Sequence, residues 1–121
     1  MKVEISNGEL VDKITILQIK TEKIKDKAKL SNVTKEFNDL LPLLDKLKIT
    51  TNSSEYLELY YVNSKLWVIE ETIRQKEQKL EFDEDFIQIA RAVYITNDHR
   101  AHLKRVINER TNSGYIEEKE Y

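Results

Sequence analysis

FDEDFIQIARAVYITNDHRAHLKRVIN (residues 82–108) is the stretch whose reading decides the fold. Phe86, Ala90 and Val93 recur at the three-to-four-residue period of an α-helix packed along a neighbour. The same stripe then meets Asn97, Arg100 and Lys104 before it recovers at Ile107. A buried seam does not carry an amide, a guanidinium and an ammonium unless something meets them. That partner is a ligand, another chain or a set of internal carboxylates. A seam shifted by one position, through Ile89, Val93, Thr96, Arg100, Leu103 and Ile107, leaves only Arg100 anomalous.

Asp83 is placed to cap this helix, which is expected to run from Glu84 to about Arg110. Upstream, Ser53 or Ser54 caps a helix reaching about Leu80, with a seam of Leu59, Val62, Leu66, Ile69, Ile73 and Leu80. Tyr56, Tyr60, Tyr61 and Trp67 sit beside that seam. The link between the two helices is very short, so they form an antiparallel hairpin. ITTNSS at 49–54 is a linker rich in residues that bond their own backbone.

The first helix is expected from about Gly8 to Lys29, capped by Ser6 or Asn7, with Leu10, Ile14, Leu17, Thr21 and Ile24 along its seam. Ile16 and Ile19 lie off that seam, so this helix touches neighbours on two sides. Ser31 or Asn32 restarts the chain into a second helix carrying Val33, Phe37, Leu40, Leu44 and Leu47. Pro42 predicts a kink or break near Leu41. Residues 1–7 read as an extended entry and residues 111–121 as an acidic tail, strapped down by Tyr115 and Ile116 or frayed. The chain is one all-α domain, 1–121: an antiparallel hairpin bundle of three to four helices.

Composition agrees with that class. The chain is 40% hydrophobic and 35% charged with only two Gly and one Pro, which leaves few obligatory turns. Cysteine is absent, so disulfides and thiolate metal sites are excluded. Two Gly cannot build a phosphate-cradling loop or a nucleophile elbow, and nothing implies a cofactor. The apolar runs are too short for a membrane span, and MKVEISNG has no apolar signal core. The cytoplasm is therefore the expected compartment. A net charge of −2 gives no drive toward nucleic acid. Lysines outnumber arginines 15 to 5, yet all the arginines lie between Arg74 and Arg110. Such clustering suits forked recognition of carboxylate or phosphate, or internal ion pairs.

Asn97, Arg100, Lys104 and Asn108 share one helical face, with Arg91, Asp98 and Arg105 on a neighbouring line. Counting the hairpin from its turn places Glu70 and Glu71 level with residues 93–94, within reach of Arg91. It leaves Arg100 and Lys104 opposite Lys65, Tyr60 and Tyr61. The functional reading is a tyrosine-lined anion site of Arg91, Asn97, Arg100, Lys104, Asn108, Tyr60 and Tyr61, supported by Glu70, Glu71, Glu77 and Asp98. The bland reading is a face whose charges pair with the first helix or the acidic tail. Asp98, His99 and His102 lack the further ligands of a zinc site, so no metal is expected. The i, i+3 acidic pairs Glu9/Asp12, Glu55/Glu58 and Glu81/Glu84 lie too far apart, or too near helix starts, to suggest a magnesium site.

GELVDKITILQIK (8–20), LWVIEETIR (66–74) and FDEDFIQIARAVYITNDHR (82–100) together resemble a small all-helical family of unknown function from bacteria and marine phages. The resemblance covers nearly the whole chain, including Glu117, Glu118, Lys119 and Tyr121, and it implies no activity. VDKITILQIK also looks a little like the long first helix of the all-helical chorismate mutases, which grip two carboxylates with arginines. Here that helix offers only Lys13 and Lys20. No complete catalytic set is present. The leading expectation is a non-catalytic interaction or scaffold module forming a homodimer, open to a further protein partner. The alternative is an enzyme or binder of a small phosphorylated or dicarboxylate metabolite.

Overall fold

A computed structural model of the chain describes residues 2–112, and every regular element among them is helical. Helix α1 spans Asn7–Lys23, α2 Lys27–Leu40, α3 Ser54–Gln78 and α4 Glu84–Arg110. A 3-10 helix over Leu41–Leu47 follows α2 directly. The acidic tail beyond residue 112, with Tyr115 and Ile116, lies outside the described residues. No helix among them is long and apolar enough to cross a membrane.

Side-chain caps set three of the four helix starts. Ser6 Oγ accepts from Glu9 N at 3.1 Å, Asp26 Oδ1 from Lys29 N at 3.0 Å, and Asp83 Oδ1 from Phe86 N at 2.9 Å. The Phe86 N–H is the main reason the Asp83 carboxyl titrates below its ordinary range. Ser53 stands at the head of α3, but its hydroxyl accepts from Thr50 N at 2.9 Å and ties the linker instead.

The first helix is shorter than its seam suggests. It ends at Lys23 because Ile24 turns to an extended conformation and Asp26 captures the backbone of a new helix. The restart expected at Ser31 or Asn32 therefore falls at Asp26. The break expected near Leu41 is present. Helix α2 ends at Leu40, and Pro42 sits in the first turn of the 3-10 helix, where its missing N–H costs nothing. The α3–α4 turn closes on Leu80 at φ 57°, with Glu81 N bonded to Lys76 O at 2.9 Å and Leu80 N to Glu77 O at 3.1 Å. That is the paired pattern of a Schellman turn built without glycine.

Helix α1 is the centre of the bundle and packs on α2, α3 and α4. It buries Val11, Ile14, Leu17 and Ile19. Helix α3 adds Tyr56, Leu59, Val62 and Leu66, α4 adds Leu103 and Ile107, the 3-10 helix adds Leu44 and the linker adds Ile49. Thr96, Leu103 and Ile107 follow the shifted seam, yet Lys104 and Asn108 are buried as well. Helix α4 is thus covered along two adjacent stripes in its second half.

Length decides where burial stops. At 1.5 Å per residue α1 is about 25 Å long, against about 37 Å for α3 and about 40 Å for α4. The α3–α4 hairpin overhangs α1, and no residue from 67 to 95 is fully buried. Val68, Leu80, Phe82, Ile87, Tyr94 and Ile95 are exposed on the overhang. The α3 seam that was expected to continue through Ile69 and Ile73 to Leu80 is closed only as far as Leu66.

Tyr56 belongs to the core rather than beside it, and its hydroxyl donates to Gln18 Oε1 at 2.5 Å. Burial pushes its pKa well above the usual 10.0, and the Glu22 carboxylate adds to the shift. A raised folded-state value means the unfolded tyrosine releases its proton first as pH rises. The stabilisation is therefore complete below about pH 10 and is lost as pH climbs above it. Thermal midpoints measured from pH 8 to 11 are expected to fall more steeply for wild type than for Tyr56→Phe. At neutral pH that variant is expected to lose about 1 kcal/mol with the Gln18 bond. Equal slopes would show that Tyr56 ionises freely in the fold.

Candidate functional site

The polar stripe of α4 meets α1, residue by residue. Arg100 donates from Nε to Asp12 Oδ1 at 2.8 Å and from Nη2 to Asp12 Oδ2 at 2.5 Å. One turn on, Lys104 Nζ lies 2.8 Å from Glu9 Oε2, with only 8% of the lysine side chain exposed. Asn108 Oδ1 then accepts the Gly8 N–H at 2.7 Å, one of the backbone donors a helix start leaves unpaired. Asn7 Nδ2 donates to Thr111 Oγ1 at 2.9 Å. Two helices crossing antiparallel thus pair 12 with 100, 9 with 104, 8 with 108 and 7 with 111.

Helix α3 joins this zipper at Asn63. Its Nδ2 donates to Asp12 Oδ1 and to Thr15 Oγ1, both at 2.9 Å, and Thr15 Oγ1 donates to Asp12 O at 2.7 Å. Asp12 is 1% exposed, so its charge is out of water and stands on these contacts alone. At Gly8 a side chain has no room: a Cβ would lie 2.3 Å from the Lys104 carbonyl oxygen. The arrangement neutralises the α4 cations and sets the register of three helices. Asn108 Nδ2, equally buried, is the one buried side-chain donor or acceptor among the described residues with no hydrogen-bond partner.

The other predicted site residues are dispersed. Arg91 is exposed on the overhang, away from Arg100 and Lys104. The α3 carboxylates expected to reach it are engaged on their own helix: Glu70 lies 3.9 Å from Arg74, and Glu71 accepts from Trp67 Nε1 at 2.5 Å. Glu77 and Asp98 are exposed. Tyr60 donates to Glu22 Oε1 at 2.6 Å, and that bond holds its pKa above the ordinary value. Tyr61 faces solvent at the edge of the Tyr60 ring. Among the described residues, no group of three or more His, Asp or Glu is placed to hold a metal ion. Glu55 pairs with Arg110, and Glu81 with Lys76 at 3.6 Å.

The reading in which the α4 charges pair with the first helix is the one these contacts match, although it named no residue there. The count along the hairpin, where α3 and α4 are adjacent, offered Arg100 and Lys104 no carboxylate. The signal was the pair Glu9 and Asp12, one turn apart on α1, which answers Arg100 and Lys104, one turn apart on α4, in reversed order.

Asn97 lies apart from the zipper. It lines a cleft of about 410 Å³ between α1, α3 and α4, walled by Ile16, Ile19, Leu66 and Trp67. Asn63 and Arg100 lie on its zipper side, and Glu70, Glu71 and Arg74 also line it.

Over residues 1–121 the sequence matches a family of unknown function (DUF6165). The chain belongs to that family. No curated protein and no solved structure matches it. For this DUF6165 chain, then, chemistry rests on the residues themselves. They form one charge-satisfied network and, beside it, one cleft whose polar groups are only partly engaged.

Proposed function

We propose that this chain is a non-catalytic helical interaction module that pairs with a second copy through the overhanging half of its α3–α4 hairpin. The observation that carries this reading is that residues 67–95 contain no buried residue while presenting six exposed large apolar side chains. A lone two-helix hairpin with an apolar face needs a further layer, and two crossed hairpins supply it to each other as a four-helix bundle.

A second copy fits the exposed α4 face, which reads Ile87, Arg91, Tyr94, Ile95, Asp98, His102 and Arg105. The hairpin tip is acidic, with Glu81, Asp83, Glu84 and Asp85 exposed, whereas the base exposes Lys65, His102 and Arg105. Antiparallel two-fold pairing lays each tip against the other copy's base, so opposite charges meet. The internal pairing of Arg100 and Lys104 also supports a structural role for the polar stripe over an anion site.

Light scattering on a size-exclusion column is expected to give twice the 14.4 kDa chain mass. The double variant Ile87→Glu/Ile95→Glu is expected to run as a folded monomer, its self-association weakened by roughly a hundredfold or more. A wild-type monomer at about 100 μM would overturn the proposal, since that concentration exceeds the dissociation constant of any dimer worth the name.

A further inference from the structure

The cleft beside the zipper has the opposite polarity to the one its arginines suggest. Arg100 lines it, but its charge is met by Asp12 through two hydrogen bonds. The decisive group is Asn63, which is 5% exposed. A carboxylate only accepts, so the atom of Asn63 facing Asp12 Oδ1 is the amide nitrogen. Thr15 Oγ1 spends its proton on Asp12 O, so it also accepts from Asn63 Nδ2. Both amide hydrogens are thereby used, and chemistry fixes the orientation of the side chain. Neither bond uses Asn63 Oδ1, which leaves the carbonyl oxygen open as an acceptor on a side chain that lines the cleft.

The other polar groups there agree. Glu70 and Glu71 line the same cleft, and the Trp67 N–H positions Glu71 at 2.5 Å. Arg74 is largely exposed and leans on Glu70. With Asp12 counted behind Arg100, carboxylates outnumber guanidinium groups at the cleft three to two. The walls are Ile16, Ile19, Leu66 and Trp67, and the volume of about 410 Å³ falls in the range of small-molecule sites. An open amide acceptor, two carboxylates at the rim and an arginine already neutralised from behind, beside apolar walls and an indole, suit a donor-rich cation.

We infer that this cleft binds a small organic ammonium: a primary amine carried on a compact apolar or aromatic body. The ammonium donates to Asn63 Oδ1 and is neutralised by Glu70 and Glu71. The body lies against Ile16, Ile19, Leu66 and Trp67. This goes beyond self-pairing and does not depend on it, because the cleft is formed within one chain.

Trp67 is the only tryptophan in the chain, so its emission reports on the cleft directly. The wild-type 121-residue chain is titrated with 2-phenylethylamine and cadaverine, and in parallel with 3-phenylpropionate and inorganic phosphate. Saturable change is expected with 2-phenylethylamine at a dissociation constant below about 1 mM, and roughly tenfold weaker or no response to the two anions. Glu70→Gln/Glu71→Gln is expected to weaken the amine by about tenfold while leaving the thermal midpoint unchanged, since both carboxylates are exposed. The inference is overturned if neither amine saturates by about 10 mM, if an anion binds as tightly as the amines, or if the double variant binds amine as well as wild type.

Discussion

Asp12→Ala is expected to lower the free energy of unfolding by about 3–5 kcal/mol, the cost of stranding a buried charge without its partner. The carboxylate holds the Arg100 guanidinium by both oxygens and takes one hydrogen of Asn63. Without it, a largely covered cation and a buried amide donor lose their acceptor together. Typical domains have about 5–15 kcal/mol in total, so this loss removes a large share of the margin. Arg100→Ala is expected to be similarly costly, because it leaves a carboxylate that is 1% exposed with only Asn63 as a side-chain donor. Arg100→Lys does not rescue it, since an ammonium cannot donate in a parallel fork.

The double replacement Asp12→Leu/Arg100→Met separates charge from packing. Removing both charges leaves neither stranded, so most of the lost stability returns. Urea unfolding followed by Trp67 fluorescence and far-ultraviolet circular dichroism measures these four variants against wild type. A loss below about 1 kcal/mol for Asp12→Ala would show the pair to be no stronger than a surface contact.

Gly8→Ala is the second large effect, and its sign runs against local propensity. Alanine favours a helix interior over glycine by about 1 kcal/mol. Here the added Cβ falls 2.3 Å from the Lys104 carbonyl oxygen, 2.9 Å from its carbon and 3.0 Å from Asn108 Oδ1. Two of those atoms are backbone, so relief requires α1 and α4 to separate. Separation also stretches the Gly8–Asn108 bond and the Glu9–Lys104 pair. A net loss of about 2–3 kcal/mol is expected, seen as a fall in Tm of roughly 10 °C. A Tm equal to or above wild type would mean the crossing yields without cost. Asn108→Ala makes a useful comparison: it removes a bond from the same crossing but introduces no clash.

Much of the fold was legible because its signals are local. Asp83 caps α4 three residues before the Phe86 N–H it binds, and Pro42 ends α2 by lacking a donor. Both effects act within one turn of the chain, so spacing alone reveals them. The α1–α2 break was misplaced because Ile24 continues the apolar period past the helix end. Asp26, a better cap than its neighbours, overrides that period. The α3 seam was over-extended for another reason. Periodicity shows which residues share a face, but α1 has to be long enough to cover them.

The candidate site divides the same way. Spacing along α4 shows that Asn97, Arg100, Lys104 and Asn108 share a face and demand partners, since burying such groups alone is prohibitive. It does not show which element answers. Asp12 and Arg100 are 88 positions apart and meet only because α1 packs into the angle of the hairpin. The same meeting reverses the character of the place. Read along the chain, Arg100 advertises an anion site. Once Asp12 takes two of its N–H donors, its charge is answered inside the fold, and Glu70, Glu71 and the Asn63 carbonyl oxygen stand beside it as acceptors. Helical period and caps are properties of short segments, so residue order was enough to establish them. The pairing of charges, and hence the sign of the cleft, is a property of three helices in contact, and it came from their packing.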